Sequence, residues 1–239
     1  MDDSELFAAA RRMSTTRRPL LGLTILVVED SRFACEAMRL LCLRSGARIR
    51  RADCLKSARR HLKAYRPSVA IVDLGLPDGS GVDLIAEIAE TSPRVGVILG
   101  TSGDLGREDE AMNAGADGFL QKPISTLGEF QGAILRLLPE DWQSRRPIAL
   151  SDEVIEPDLM ALQDDLAHAA DILKEGGDVG NIEYVAQFVG GVARSIGDEP
   201  LADAATGLAA ARANGQPIDT ATATISSLVQ DRLQGRAAI

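Results

Sequence analysis

The chain has 239 residues, a net charge of −9 and an isoelectric point near 4.8, a balance that disfavours nonspecific nucleic-acid binding. Apolar residues make up 45% of the sequence, enough for packed cores, while aromatic residues make up only 3%. Residues 140–239 carry 17 acidic and 7 basic side chains, whereas residues 1–139 are nearly balanced with 18 and 19. This asymmetry indicates two structural units.

The N-terminal residues predict neither a membrane anchor nor a secretory signal. No apolar run approaches the ~18 residues that span a bilayer, and no apolar signal core is present. Residues 1–20 are expected to form a mobile arm, with a helix over residues 4–13 as the alternative. Cys35, Cys42 and Cys54 lack the spacing of metal ligands, which favours reduced thiols and a cytoplasmic location without membrane contact.

Short apolar runs alternate with amphipathic stretches over residues 21–138, a pattern typical of a parallel sheet flanked by helices. Strands are expected at 23–28, 47–52, 69–73, 95–100 and 118–121. Helices are expected at 31–44, 54–65, 82–90, 107–114 and 126–138. The arginine-rich second strand suits an edge, the wholly apolar third strand suits the centre of the sheet, and residues 74–81 are expected to form a loop.

Polar side chains follow four of these strands. Glu29 and Asp30 follow the first strand, Asp73 closes the third, Thr101 and Ser102 follow the fourth, and Lys122 follows the fifth. Because ligands of open α/β sheets bind at the carboxyl ends of the strands, we expect these groups to meet.

The chemistry expected at this edge involves a divalent cation and a phosphoryl group. Three neighbouring carboxylates repel one another, and oxygen-only ligands favour Mg²⁺ or Mn²⁺, with Mg²⁺ suited to a few carboxylates together with phosphate oxygens. A carboxylate beside such a cation can accept a phosphoryl group, while a hydroxyl and Lys122 supply donors to its oxygens. Either Ser102 or Thr101 could supply the hydroxyl.

Residues 23–138 resemble a response regulator receiver domain of the chemotaxis-regulator type, on the segments "VVED", "VDLGLPDGSG", "LGTSGD" and "AGADGFLQKP" in that order. The resemblance implies a flavodoxin-like α/β fold with a doubly wound five-stranded parallel sheet of order 2-1-3-4-5. It also implies that Asp73 accepts phosphate from a kinase histidine. Three features depart from the usual pattern. Glu29 replaces the commoner aspartate, and Gly75 stands where larger polar residues are frequent. The segment "GTSGD" leaves the switch hydroxyl open between Thr101 and Ser102, and the resemblance favours Ser102 because a small residue, here Gly103, usually follows that hydroxyl in the family.

Further roles follow only from this resemblance. Asp30, Asp73 and the backbone carbonyl of Gly75 would bind Mg²⁺ directly, and Glu29 would bind it through water. Lys122 would pair with the phosphate, and its bond to Pro123 would be cis. Phe119 stands at the position of the switch aromatic, with an ordinary core ring as the alternative.

Residues 139–156 are expected to form a linker and residues 157–239 an antiparallel all-α four-helix bundle, because apolar residues there recur every three or four positions. The run from Ile172 to Gly215 resembles a histidine-phosphotransfer (Hpt) domain. Gln187 stands where that family has its phosphorylated histidine, so the resemblance implies a degenerate, Hpt-like module.

One face of the second predicted helix is a candidate docking surface for a partner protein. Tyr184, Gln187, Gly191 and Arg194 lie away from its apolar stripe. The alternative is that these residues pack inside the bundle.

Together these patterns favour a two-component response regulator, a signalling protein rather than an enzyme, in which phosphorylation of Asp73 switches a helical protein-interaction module. The expected partners are a histidine kinase or phosphotransfer protein, a downstream protein and a second copy of the chain, without nucleic acid. One alternative is a phosphorelay intermediate that passes phosphate to a histidine, for which His168 is the candidate in the helical region. A weaker alternative is a DNA-binding transcriptional regulator.

Overall fold

The structure is a computed structural model that describes residues 18–104, 106–139, 153–174 and 179–236, the side chains of 179–181 and 236 excepted. Most of the predicted arm (residues 1–17) and of the predicted linker (residues 140–152) lie outside the described residues. Of the described residues, 18–30, 35–104, 106–139 and 153–157 belong to one compact unit, and residues 31–34, 158–174 and 179–236 to another. No helix in the described ranges is both long and apolar enough to cross a membrane.

The first unit contains a five-stranded parallel sheet with the order β2-β1-β3-β4-β5, which confirms the predicted flavodoxin-like topology. Its strands are β1 (Thr24–Val28), β2 (Arg48–Ala52), β3 (Val69–Asp73), β4 (Val97–Ser102) and β5 (Gly118–Gln121). The helices of this part of the chain are α1 (Arg32–Ser45), α2 (Leu55–Ala64), α3 (Gly81–Ala89), α4 (Glu108–Asn113) and α5 (Leu127–Leu137).

Alternation of side chains along the buried strands builds a core on each face of the sheet. In β1, Ile25 and Val27 belong to one apolar cluster, whereas Leu26 and Val28 belong to the other. All five residues of β3 are buried, as expected for a central strand covered by helices on both faces. The alternating arginines of β2 are exposed at the edge of the sheet.

Three expectations for this unit need correction. The predicted loop at 74–81 contains a two-stranded hairpin, Gly75–Leu76 with Gly79–Ser80. Leu20, assigned to the arm, is fully buried, and its N–H donates to the Ser45 carbonyl at 3.0 Å. Ile155, assigned to the linker, is buried in the same cluster as Leu20.

Residues 153–155 add a short backbone contact to the start of α5. The Leu127 N–H donates to the Glu153 carbonyl, and the Ile155 N–H donates to the Ser125 carbonyl, both at 3.0 Å. Hydrophobic periodicity does not predict this contact, because the segment is too short to show a period.

The second unit contains a helical bundle. Its helices are α6 (Leu159–Lys174), α7 (Val179–Ile196), α8 (Glu199–Ala213) and α9 (Asp219–Arg236). Each helix packs against the next, and α9 packs against α6, which closes the ring. Most of the apolar residues that recur along these helices pack in one cluster. Leu159 at the start of α6 is instead 58% exposed, and Ala211 of α8 is half-buried outside that cluster.

Candidate phosphorylation and metal site

The acidic residues predicted at the strand ends converge at one edge of the sheet. Glu29 and Asp30 follow β1, and Asp73 is the last residue of the adjacent strand β3. One carboxylate oxygen of each residue lies within 4.8 Å of the others. Glu29 and Asp73 are buried, whereas Asp30 is half-buried. Three carboxylates this close can share a divalent cation, whose charge would relieve their repulsion.

Lys122 brings an ammonium group into the same pocket. Its Nζ lies 2.5 Å from Glu29 Oε2 and 2.8 Å from Asp73 Oδ2, and the side chain is only 9% exposed. Burial alone would lower the pKa of Lys122, but the charges of Asp73 and Glu29 outweigh burial and raise that pKa. These carboxylates therefore favour the cationic form of Lys122, which neutralises part of the acidic cluster.

Glu29 is the most deeply buried of the three acids, with 1% exposure. Burial raises the pKa of Glu29 well above its usual range, the charge of Lys122 opposes that rise, and the charges of Asp73 and Asp30 add to it. A cation in the pocket would favour the ionised form, since it would compensate the charge that burial penalises.

The chain turns tightly after Asp73, which keeps this side chain at the mouth of the pocket. The Gly75 N–H donates to Asp73 Oδ1 at 3.3 Å, and the Gly81 N–H donates to the Leu74 carbonyl at 3.1 Å. A Cβ atom at Gly81 would lie 1.9 Å from the Asp73 carbonyl oxygen. Glycine is therefore required where α3 begins, because any side chain would displace the backbone of Asp73.

The two candidate hydroxyls lie inside β4 rather than after it, because this strand runs to residue 102 and not to 100. Thr101 Oγ1 donates to the Leu120 carbonyl at 2.7 Å, a bond between adjacent strands. Ser102 Oγ instead accepts from the Asp104 N–H at 3.0 Å, which uses a lone pair and leaves its proton for another acceptor. This difference favours Ser102 as the donor to a phosphoryl oxygen.

Phe119 lies in β5 opposite Gly100 of β4. The ring is half-buried and packs against the cluster that contains Ala111. A Cβ atom at Gly100 would lie 3.1 Å from this ring and 2.6 Å from Ala111 Cβ, so the glycine makes room for both. The position suits a ring that can change its burial, while its role as a switch remains a prediction. The Lys122–Pro123 bond is cis, as the resemblance implied.

Comparison with known proteins relates much of the first unit to one family. The family model described as response regulator receiver domain matches residues 25–132. The fold and the acidic pocket of this region agree with that match.

Two curated relatives are similar to part of the chain. The KDP operon transcriptional regulatory protein KdpE of Escherichia coli (strain K12) is 30% identical over 110 residues, 46% of this chain and 48% of that protein. The transcriptional regulatory protein KdpE of Mycobacterium tuberculosis (strain H37Rv) is 29% identical over 155 residues, 65% of this chain and 66% of that protein. The chain thus spans about half to two thirds of the length of these relatives.

Among solved structures, the chemotaxis response regulator CheY4 of Vibrio cholerae matches with 21% identity and a TM-score of 0.44, covering 48% of this chain and 98% of that one.

The predicted docking residues Tyr184, Gln187, Gly191 and Arg194 all lie on α7, and all are half-buried rather than exposed. The Tyr184 ring lies 5.7 Å from the ring of Phe188, and the Arg194 guanidinium lies 3.2 Å from where a Cβ of Gly190 would be. A Cβ at Gly191 would meet nothing within 4 Å. Packing therefore accounts for Gly190, whereas Gly191 has open space above it.

His168 on α6 is exposed, and its ring meets the edge of Phe188 at 5.6 Å. Another residue of this helix, Asp165, was not among the predicted functional residues. Asp165 is only 2% exposed, although it carries a charged side chain. The sequence pattern does indicate this burial, because Asp165 lies three residues after Leu162 and four before Ala169, on the apolar face of α6.

Proposed function

We propose that the chain is a two-component response regulator that a histidine kinase or a phosphotransfer protein phosphorylates on Asp73. The observation that carries this proposal is the position of Lys122, whose Nζ lies 2.8 Å from Asp73 Oδ2 inside a pocket of three carboxylates. An aspartate that must carry a phosphoryl group needs a cation beside it, since the product adds negative charge to an already acidic site.

The donor set fits Mg²⁺, because every proposed ligand is an oxygen atom. Asp30, Asp73 and the Gly75 carbonyl would hold the ion directly, with Glu29 bound through water. When bound, the ion supplies positive charge that neutralises the oxygens of the transferring phosphoryl group.

The residues of the pocket then have distinct tasks. A carboxylate oxygen of Asp73 attacks phosphorus, an O–P bond forms, and the P–N bond to the donor histidine breaks, with its electron pair returning to the imidazole. Lys122 and the Ser102 hydroxyl donate to the phosphoryl oxygens, which holds the transferred group in position. We expect Phe119 to move inward as Ser102 shifts toward the phosphate.

The helical unit is proposed as a protein-interaction output rather than an enzyme. Gln187 cannot take up phosphate as the histidine of an Hpt domain does, so the Hpt-like resemblance favours a module that has kept the contact surface and lost the transfer. The docking face would comprise Tyr184, Gln187, Gly191 and Arg194, where the open space above Gly191 admits a close approach. A downstream protein or a second copy of the chain is the expected partner.

Intact-mass spectrometry after incubation with acetyl phosphate and Mg²⁺ tests this proposal. We expect one added phosphoryl group on the wild type and none on Asp73→Asn, with uptake suppressed by EDTA. The matched control is Asp83→Asn, which changes an exposed aspartate in the first turn of α3 and should leave uptake unchanged. Uptake that persists in Asp73→Asn would contradict the site assignment.

The printed names of the KdpE relatives favour a second candidate function, transcriptional regulation. Its output would have to contact DNA phosphates, and the net charge of −10 over residues 140–239 opposes that contact. The measurement that separates the two functions is fluorescence anisotropy with duplex DNA over a range of salt concentrations. Salt-sensitive binding would favour the second candidate.

A further inference from the structure

Residues 31–34, which directly follow Asp30, belong to the same compact unit as the helices of the bundle. Phe33 is 7% exposed and lies in the apolar cluster that contains Leu162 and Leu166 of α6. The charged residue that accompanies this cluster is Asp165, which is 2% exposed. A carboxylate this deeply buried requires partners for its oxygens.

Three donors from one short segment supply those partners. The Ser31 hydroxyl donates to Asp165 Oδ2 at 2.7 Å, the Arg32 N–H donates to Oδ1 at 2.8 Å, and the Phe33 N–H donates to Oδ2 at 3.0 Å. The Ser31 Oγ also accepts from the Ala34 N–H at 3.0 Å. The first N–H groups of a helix have no acceptor within that helix. Asp165 supplies acceptors at the start of α1, although it lies 132 to 134 positions further along the chain.

Burial raises the pKa of Asp165, and the bonds from Phe33, Ser31 and Arg32 oppose that rise. These bonds stabilise the ionised carboxylate, and each of them restrains the backbone that leaves Asp30. The negative charge of the carboxylate is also stabilised at this position, because the helix macrodipole places positive partial charge at the start of α1.

We propose that Asp165 is a positioning residue for the metal and phosphoryl site. By fixing Ser31, Arg32 and Phe33, it fixes the direction in which the chain leaves Asp30, and hence the direction of the Asp30 carboxylate. This inference rests on the proposed function, in which Asp30 binds Mg²⁺. It extends that function by making metal affinity depend on a residue of the helical unit.

The physical basis is preorganisation. A metal ligand that is already oriented loses less conformational freedom on binding than one that must be ordered by the ion. Since free-energy coupling is reciprocal, binding of Mg²⁺ in the pocket must in turn strengthen the three hydrogen bonds to Asp165. The helical unit would thereby respond to the state of the receiver through a single carboxylate.

The test compares Asp165→Asn with Asp164→Asn in the full chain. Both variants remove one negative charge from adjacent positions of α6. Asp164 is exposed and pairs with Arg32 at 2.5 Å on the surface, a type of pair that contributes little. Asparagine at 165 keeps one acceptor but turns an NH₂ group toward donors, so the set of three bonds is lost.

Isothermal titration calorimetry with Mg²⁺ gives the decisive readout. We expect Asp165→Asn to weaken Mg²⁺ binding about tenfold, at the lower end of the range for residues that orient a metal ligand. Asp164→Asn should change the affinity less than about twofold. Hydrogen exchange of the Arg32 and Phe33 amides in metal-free protein should be faster in Asp165→Asn alone.

A purely structural role would give a different result. If Asp165→Asn lowers the melting temperature but binds Mg²⁺ as tightly as Asp164→Asn does, the inference is wrong. If Asp165→Asn does not fold, Ser31→Ala, which removes one donor, takes its place, and an affinity equal to that of the wild type then overturns the inference. Failure of the wild type itself to bind Mg²⁺ would instead contradict the proposed function.

Discussion

Lys122 shows how a single residue can set the properties of the acidic pocket. Its ammonium group contacts Glu29 at 2.5 Å and Asp73 at 2.8 Å, so it stabilises the pocket when no cation is bound. The same positive charge opposes the binding of a divalent cation. Lys122 therefore balances stability of the free protein against affinity for metal.

Substitution Lys122→Met tests this balance. The metal-free variant should lose at most about 3 kcal/mol of stability, because it leaves buried carboxylates unpaired while Glu29 can take up a proton. Its melting temperature should rise more with Mg²⁺ than that of the wild type, since the competing charge is gone. Thermal denaturation with and without Mg²⁺ measures both effects, with the exposed Lys56→Met as control. An equal Mg²⁺-dependent rise in the variant and the wild type would rule out the competition.

At the scale of elements, Asp198 links two helices of the bundle. Its Oδ1 accepts from the Leu201 N–H at 3.2 Å, which caps the start of α8. Its two oxygens also accept from Arg232 of α9, from Nε at 2.8 Å and Nη2 at 3.0 Å. One carboxylate thus serves both as a helix cap and as the partner in a bidentate ion pair, the stronger geometry for such pairs.

We expect Asp198→Ala to lower the free energy of unfolding of the bundle by about 2 kcal/mol, because it removes the cap and the ion pair together. Urea denaturation followed by circular dichroism gives this value. The control is Asp203→Ala, an exposed position within α8, which should have little effect. A loss for Asp198→Ala no larger than for Asp203→Ala would show that Asp198 does not link the helices.

The same carboxylate predicts a dependence of stability on pH. The hydrogen bond from Arg232 lowers the pKa of Asp198 despite partial burial. A lowered folded-state pKa adds stability above the unfolded-state value of about 3.9, and this contribution is lost as the pH falls through the folded-state pKa. The stability difference between the wild type and Asp198→Ala should therefore be constant near neutral pH and should shrink below about pH 4. A difference that persists at the lowest pH would contradict this assignment.

At the scale of the whole molecule, the cysteines report on opening of the sheet unit. Cys35 and Cys42 are buried on α1, and burial raises the pKa of each thiol to about 12. Cys54 is only half-buried at the start of α2. Since the thiolate is the reactive form and must be reached by reagent, these sites should differ strongly in reactivity.

Iodoacetamide labelling followed by peptide mass spectrometry checks this expectation. Cys54 should react in native protein at pH 8, while Cys35 and Cys42 should react only when the unit unfolds in urea, because their exposure requires α1 to leave the sheet. Cys42 has no exposed surface and gives the cleaner signal. Native labelling of Cys42 at the rate of Cys54 would show that α1 opens locally.

Several features of the fold could be predicted because they are periodic. Strands β3 and β5 have the predicted bounds, since each is a short apolar run ended by a polar residue or proline. The apolar stripe of α7 and residues Leu201, Ala205 and Leu208 of α8 face the bundle core, as their spacing indicated. Strand β4 was predicted two residues too early. Residues with hydroxyl side chains such as Thr101 and Ser102 are typical of turns, but here both are buried within the strand.

The sequence by itself determined the alternation of strands and helices, and the placement of Glu29, Asp30, Asp73 and Lys122 at strand ends. Those properties depend on residues only a few positions apart, so hydrophobic periodicity predicts them directly. Only the tertiary structure showed that the Ser102 hydroxyl, and not that of Thr101, keeps its proton available, and that Asp165 is buried with partners for its oxygens. Such choices depend on partners far along the chain, the Leu120 carbonyl for Thr101 and the start of α1 for Asp165. Packing brings these groups together, and no local pattern encodes their distance.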